Sequence, residues 1–132
     1  MARLKAKLRY ALAAALHLAT RYEGGANTKL KAVAAETGVP DNYLVHILIQ
    51  LKQAALVSSR RGSKGGYRLS RPPERITLAQ VLDAVQPIRP EEGAGDTDYD
   101  RLVDRLWARA ESERLHYLAS TTLADALAMS RG

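Results

Sequence analysis

The chain of 132 residues contains no cysteine and no phenylalanine, and only one tryptophan and two methionines. Without thiols, disulfides, thiolate metal sites and thiol redox chemistry are all excluded. No apolar run approaches the ~20 residues that a membrane-spanning helix requires. The opening Met1-Ala2-Arg3-Leu4-Lys5-Ala6-Lys7 leads into an amphipathic segment with Arg9 and His17, rather than into the apolar centre of a signal peptide. A cytoplasmic location without a membrane partner is therefore the expectation. A recognisable set of nucleophile, general base and orienting group is also missing, so catalysis has no support. Gly62-Ser63-Lys64 lacks the preceding glycine that a nucleotide-binding phosphate loop places at fixed spacing. His17 and His116 stand alone in the sequence, with no metal-ligand spacing around them. No enzyme activity, cofactor or metal is expected.

Acidic residues are scarce in one part of the chain. Up to Arg75 there are 14 Lys or Arg against 4 Asp or Glu, whereas from Ile76 onward there are 6 against 10. The total of +6 thus hides a strongly basic front part and an acidic rear part, and that division points to a polyanion as the partner of the front part alone. The length suits one domain, or one domain with a long oligomerisation element.

What is present is mostly helical. Alanine and leucine dominate the apolar residues, and Leu4, Leu8, Ala11, Leu12, Ala15, Leu16, Ala19 and Tyr22 recur at helical spacing before Gly24-Gly25. A short second helix is expected from Thr28, as N-cap, through Glu36, with Gly38 as its breaker. Pro40 suits the first turn of a third helix running to about Ala54. A short helix, a tight turn and a longer helix make the helix-turn-helix pattern. On the third helix Leu44, Ile47, Leu48 and Leu51 share one face, and Asn42, Val45, His46, Ile49 and Gln53 lie opposite.

Between Leu56-Val57-Ser58-Ser59 and Tyr67-Arg68-Leu69, both strand-like, lies the turn Arg60-Arg61-Gly62-Ser63-Lys64-Gly65-Gly66. A hairpin with a cationic tip, carrying Arg60, Arg61, Lys64, Arg68 and Arg71, fits the wing of a winged helix-turn-helix and is drawn to phosphate. Its glycines permit either close approach to phosphate or simply a tight turn. A fourth helix follows from about Leu78 to Gln86, and then a loop from Pro87 to Asp96. From Asp98 to about Leu118 a long helix of roughly 30 Å carries a wide apolar stripe. Tyr99, Leu102, Val103, Leu106, Trp107, Ala110 and Tyr117 are its candidate dimer contacts, because a wide uncovered apolar face calls for a second surface. A terminal helix from Leu123 to Met129 follows Thr121-Thr122.

Lys7-Leu8-Arg9-Tyr10-Ala11-Leu12, Asn42-Tyr43-Leu44 through Ile47-Leu48, and above all Arg61-Gly62-Ser63-Lys64-Gly65-Gly66-Tyr67-Arg68-Leu69 with Arg71-Pro72-Pro73-Glu74-Arg75-Ile76-Thr77-Leu78 resemble the Rrf-two family of bacterial winged-helix regulators. The similarity covers residues from about 3 to 86. Well-known sensors of that family carry three cysteines in the loop after the fourth helix, where this chain has none. The resemblance therefore does not extend to an iron–sulfur cluster held in that way. Glu91, Glu92 and Asp96 read better as a solvated acidic loop than as a cation site. Val45 stands where family members often have an acidic residue, so their operator sequences do not carry over.

The expected architecture is mainly α: a winged helix-turn-helix over 1–86 with a small β-hairpin wing, a loop over 87–97, and a dimerisation helix with a C-terminal helix over 98–132. The expected function is that of a homodimeric, sequence-specific regulator of transcription binding double-stranded DNA, with a small-molecule or protein effector as its input. Lys5, Lys7, Thr28, Lys31, Asn42, Tyr43, Val45, His46, Arg60, Arg61, Gly62, Ser63 and Lys64 are the candidate DNA contacts. Asn42 can pair with an adenine edge, while Val45 and Ile49 offer only apolar contact such as a thymine methyl group accepts. The competing reading is a winged-helix module whose basic face docks an acidic protein.

Overall fold

The computed structural model describes residues 4–86 and 95–130. In chain order these form α1 (Ala6–Thr20), α2 (Leu30–Thr37), α3 (Asp41–Gln53), β1 (Val57–Arg60), β2 (Gly66–Leu69), a 3-10 turn (Pro73–Arg75), α4 (Leu78–Val85), α5 (Asp98–Ser120) and α6 (Leu123–Met129). Of the expected loop after α4, residues 87–94 lie outside the described residues, and Glu91 and Glu92 with them.

α1 is the centre of the core. Its buried side is Ala11, Ala14, Ala15, Leu18 and Ala19, so small side chains let α2, α3, α4, α6 and β2 all reach it. Leu8, Leu12 and Leu16 are only partly covered at the edge of that core. The apolar stripe expected on α1 is thus rotated toward its alanines, which pack closest because they are smallest.

α2 ends at Gly38, whose left-handed φ of 75° lets its N–H bond the Ala34 carbonyl at 2.8 Å. The turn Gly38–Pro40 buries Val39 and redirects the chain into α3. There Leu44, Ile47, Leu48 and Leu51 are all buried, which is the helical period read from the sequence. Pro40 is the N-cap of α3 rather than a first-turn residue, one position earlier than expected.

The wing is a two-stranded antiparallel hairpin in the register Val57↔Leu69, Ser58↔Arg68, Ser59↔Tyr67 and Arg60↔Gly66. Val57 and Leu69 anchor its base in the core. Thr28 forms an antiparallel bridge with Tyr67 along the other edge of β2, with both N–H to O bonds at 2.8 Å. This corrects its expected role as the cap of α2. The N-cap is Lys29, which makes no side-chain capping bond, because Thr28 is extended and engaged by the wing.

The rear of the chain divides unequally. α5 is 23 residues long, about 35 Å at 1.5 Å per residue, and none of its residues is buried. α6 behaves differently, since Leu123 is completely buried among the core residues and α6 packs on α1 and the 3-10 turn. A bridge between Thr77 and Thr122 ties its start to the start of α4. α6 therefore returns to the winged-helix core, and α5, which also packs on α4, is tied to it at its C-terminal end by the bond from the Leu78 N–H to the Thr121 carbonyl.

Candidate nucleic-acid interface

The helix N-termini differ between the two parts of the chain. α4, α5 and α6 each carry a full capping box: Thr77 with Gln80, Thr97 with Asp100, and Thr122 with Asp125. α1, α2 and α3 begin at Lys5, Lys29 and Pro40 with no side-chain cap at all. Apart from the Ala32 N–H, which bonds the Lys29 carbonyl at 3.0 Å, their first-turn N–H groups are open to another acceptor, at the positive end of each helix dipole. An oxygen anion is the chemical class that such termini hold.

Three contacts gather these ends and the wing tip. Tyr10 on α1 meets Tyr43 on α3 edge-to-face, with ring centroids 5.7 Å apart, so the front of α1 lies against the start of α3. Lys29, at the start of α2, donates from Nζ to the Gly62 carbonyl at 2.7 Å, and Asn27 donates from Nδ2 to the Lys64 carbonyl at 3.2 Å. The wing tip is therefore held beside the N-terminus of α2. No pattern local to Asn27 or Lys29 announces these contacts, because their partners lie more than 30 residues away.

At the tip, Arg60, Arg61, Gly62, Ser63 and Lys64 are all exposed, and none of the three cations is in an ion pair among the described residues. Lys5, Lys7 and Lys31 are exposed as well, the first two at the start of α1 and the third in the first turn of α2. On α3, Asn42, Tyr43, Val45 and His46 are exposed, and so is Ile49. Thr28 is half-buried and its backbone is committed to Tyr67, so it supports the wing from behind.

Two wing cations are less available than their sequence positions imply. Arg68 is half-buried, with its guanidinium over the Tyr22 ring at 5.4 Å and its Nε without a hydrogen-bond partner. Arg71 donates from Nε to the Arg75 carbonyl at 3.0 Å and is half-buried. Lys52 donates to the Ser59 hydroxyl at 2.7 Å, bracing β1 against the end of α3. The positive charge that remains free is concentrated at the tip.

The wing glycines answer the choice left open by the sequence. A side chain at Gly65 would run into the backbone of Arg60, and one at Gly66 into the carbonyl of Thr28. Both are required by approach of the chain to itself. Tyr67, next to them, packs on the core at the base of the wing.

Residues 4–129 match the model of the family Rrf2, described as an iron-dependent transcriptional regulator. The chain belongs to the Rrf2 family. CymR of Bacillus subtilis, an HTH-type transcriptional regulator, is 32% identical over 131 residues, spanning 98% of this chain and 93% of CymR. An HTH-type transcriptional regulator of Mycobacterium tuberculosis is 37% identical over 129 residues, 93% of this chain and 80% of that protein. The solved structure of CymR, the global cysteine regulator of B. subtilis, superposes with a TM-score of 0.86 at 32% identity and covers 98% of both chains. IscR of T. potens gives 0.82 at 29% identity, covering 98% of this chain and 88% of that one.

This Rrf2 protein is accordingly a DNA-binding transcriptional regulator of the winged helix-turn-helix class, and its Rrf2 relatives are named as transcriptional regulators, which are not enzymes. The iron dependence in the family description is not matched by a ligand set among the described residues. The chain has no cysteine, and among the described residues no group of three or more His, Asp or Glu is placed to hold a metal ion. No helix among the described residues is long and apolar enough to cross a membrane.

Proposed function

We propose that this Rrf2 protein regulates transcription as a homodimer that recognises a roughly palindromic DNA site, with each α3 in a major groove and each wing tip on the adjacent backbone. The observation that carries the DNA half of this reading is the placement of unpaired Arg60, Arg61 and Lys64 beside the uncapped N-terminus of α2. Cations and free N–H groups together are what phosphate oxygens accept. Asn42, Tyr43, Val45 and His46, in the first turns of α3, are then the residues that reach base edges. Lys5, Lys7 and Lys31 add phosphate contacts around them.

The dimer half rests on α5. A helix of 23 residues without a buried residue, bearing exposed Tyr99, Leu102, Val103, Leu106, Trp107 and Tyr117, needs a second apolar surface in water, and Ala110 on the same helix leaves room for close approach. Paired α5 helices would set the half-sites about one helical turn, ~34 Å, apart. Regulatory input has an entry in a groove of about 500 Å³ between the end of α1, the 3-10 turn and α6. Tyr22 lines that groove and also carries Arg68 of β2, so a small effector seated there would touch the wing's support.

A salt titration of binding to a selected duplex tests the reading. Six or more phosphate contacts should cost roughly 10³-fold in affinity between 50 and 200 mM salt. Affinity that barely responds to salt would refute it and favour an acidic protein as the partner.

A further inference from the structure

Four residues on α3 form one exposed stripe at helical spacing, Asn42, Val45, His46 and Ile49, opposite the buried Leu44, Ile47, Leu48 and Leu51. Half of that stripe is apolar. Val45 is 37% and Ile49 46% exposed, although the same helix buries four other aliphatic residues completely. No arginine lies on α3, and its one lysine, Lys52, is engaged by the Ser59 hydroxyl, so the helix has no free cation for the acceptor pair on guanine. Tyr43, at the edge of the stripe, is steadied by Tyr10.

From this surface we infer that Val45 and Ile49 read pyrimidine C5-methyl groups in the major groove, and that operator choice by this protein depends on those methyls. The inference rests on the DNA-binding reading above and adds what the recognition helix selects. In the major groove the apolar group on a base edge is the C5-methyl of thymine, and 5-methylcytosine presents the same group at the same place. Val45 and Ile49 are four residues apart, about 6 Å along α3, which matches about two base steps of ~3.4 Å. Asn42 and His46 supply the polar contacts on either side, with adenine edges the natural partners of the amide. Selection is therefore for the presence of a methyl group, and a site that lost its thymines but gained cytosine methylation at those positions would regain binding.

The test uses the full chain and a duplex selected from random DNA, with affinity read by fluorescence anisotropy. Each thymine is replaced in turn by uracil, which removes only the methyl group. Two positions per half-site, about two base pairs apart, should each lose about four-fold in affinity, as expected for one buried methyl group. Val45→Ala should abolish the loss at one position and Ile49→Ala at the other, while the other uracil substitutions stay neutral. Replacing a sensitive T·A pair by 5-methylcytosine·G should bind more tightly than cytosine·G, again only while Val45 or Ile49 is present. Both side chains are exposed, so the variants should melt like the parent, and a circular dichroism melt checks this. A duplex that is bound specifically but is indifferent to uracil at every thymine overturns the inference and leaves the DNA-binding reading intact. If no duplex is selected or bound, the DNA-binding reading falls, and this inference with it.

Discussion

Truncating Leu106 to alanine isolates the role of α5 in dimerisation. Leu106 is 63% exposed and Trp107 beside it 65%, on a helix none of whose residues is fully buried within its own chain. Fully covering a leucine side chain gains about 1.5–3 kcal/mol, so covering the exposed part of Leu106 is worth roughly 1–2 kcal/mol in each protomer. Two-fold symmetry counts the contact twice, and Leu106→Ala should weaken the dimer by about 2–4 kcal/mol, which is roughly 30- to 900-fold in its dissociation constant. Alanine is at least as good a helix former as leucine, so a weaker dimer could not be blamed on a frayed α5. Sedimentation velocity over a dilution series reads the constant directly. The variant should dissociate at concentrations where the parent stays dimeric, and should lose its preference for a two-half-site duplex over a single half-site. The reasoning fails if Leu106→Ala and Trp107→Ala both sediment like the parent at every concentration, or if the parent is monomeric while binding a palindromic site at full affinity.

Replacing Arg61 by alanine should weaken binding to all duplexes about equally and lower the slope of log affinity against log salt by about 1, because an exposed tip cation contributes phosphate contact without base discrimination. A change in sequence preference instead would place Arg61 at a base edge. Gly66→Ala should cost about 1–3 kcal/mol in a denaturant or thermal melt, since φ is 134° there and the added carbon meets the Thr28 carbonyl; an unchanged melt would show that the bridge to Tyr67 is dispensable. Burial, helped by the Arg21 charge and opposed by Glu36, holds the His17 imidazole below its ordinary pKa, with Nε2 buried and unpartnered. The unfolded chain then takes up the proton first, so stability should fall as pH drops through the ordinary imidazole range, and His17→Gln should flatten that dependence. Equal pH slopes for parent and variant in a melting series would refute the assignment. Hydrogen bonds from Thr97 lower the pKa of Asp100, so the α5 cap should be present above the ordinary carboxylate range and lost as pH falls through the lowered value. Exchange protection at the first turn of α5 reports it, and Asp100→Asn should remove the pH dependence.

Periodicity made the helices legible, and chain pairing at a distance was what it could not show. Leu44, Ile47, Leu48 and Leu51 are buried as their spacing demands, because a helix face is set by residues three and four apart. The hairpin could be read from its glycines and the alternation around them. Thr28 misleads, because threonine before an apolar run favours capping locally, whereas in the fold its backbone pairs with Tyr67, 39 residues on. Gly65 and Gly66 have the same character: their need for glycine comes from Arg60 and Thr28, not from a ligand. On α1 the expected stripe includes Ala11, Ala15 and Ala19, which are buried, while Ala14 and Leu18 join them and Leu8, Leu12 and Leu16 stay at the edge, since burial there depends on how closely neighbouring helices approach. The terminal helix from Leu123 was legible, but not that Leu123 is fully buried in the core beside the bridge between Thr77 and Thr122.

The division of charge in the sequence and the division of helix caps in the structure describe the same boundary from two sides. A capping side chain typically contributes about 1 kcal/mol to a helix, and three helices in the basic part do without one while all three in the acidic part have a full box. The rear helices must hold their shape without help from a polyanion, and Thr77, Thr97 and Thr122 satisfy their N-termini internally. The front helices begin at Lys5, Lys29 and Pro40, where a cation or a proline stands in place of an acceptor, so their N–H groups favour an incoming anion, helped by the lysine charge at α1 and α2 and opposed by Asp41 in the first turn of α3. Lys29 joins the two devices, since it opens α2 and also holds the Gly62 carbonyl of the wing tip. Moving the wing would therefore move its cations relative to the open end of α2, and on the proposed arrangement a phosphate would meet both at once. The contacts that set this geometry are two hydrogen bonds from exposed side chains, Lys29 to Gly62 and Asn27 to Lys64, backed by the Thr28 bridge, so on the proposed DNA-bound arrangement a modest change at the seat of the wing would change DNA affinity.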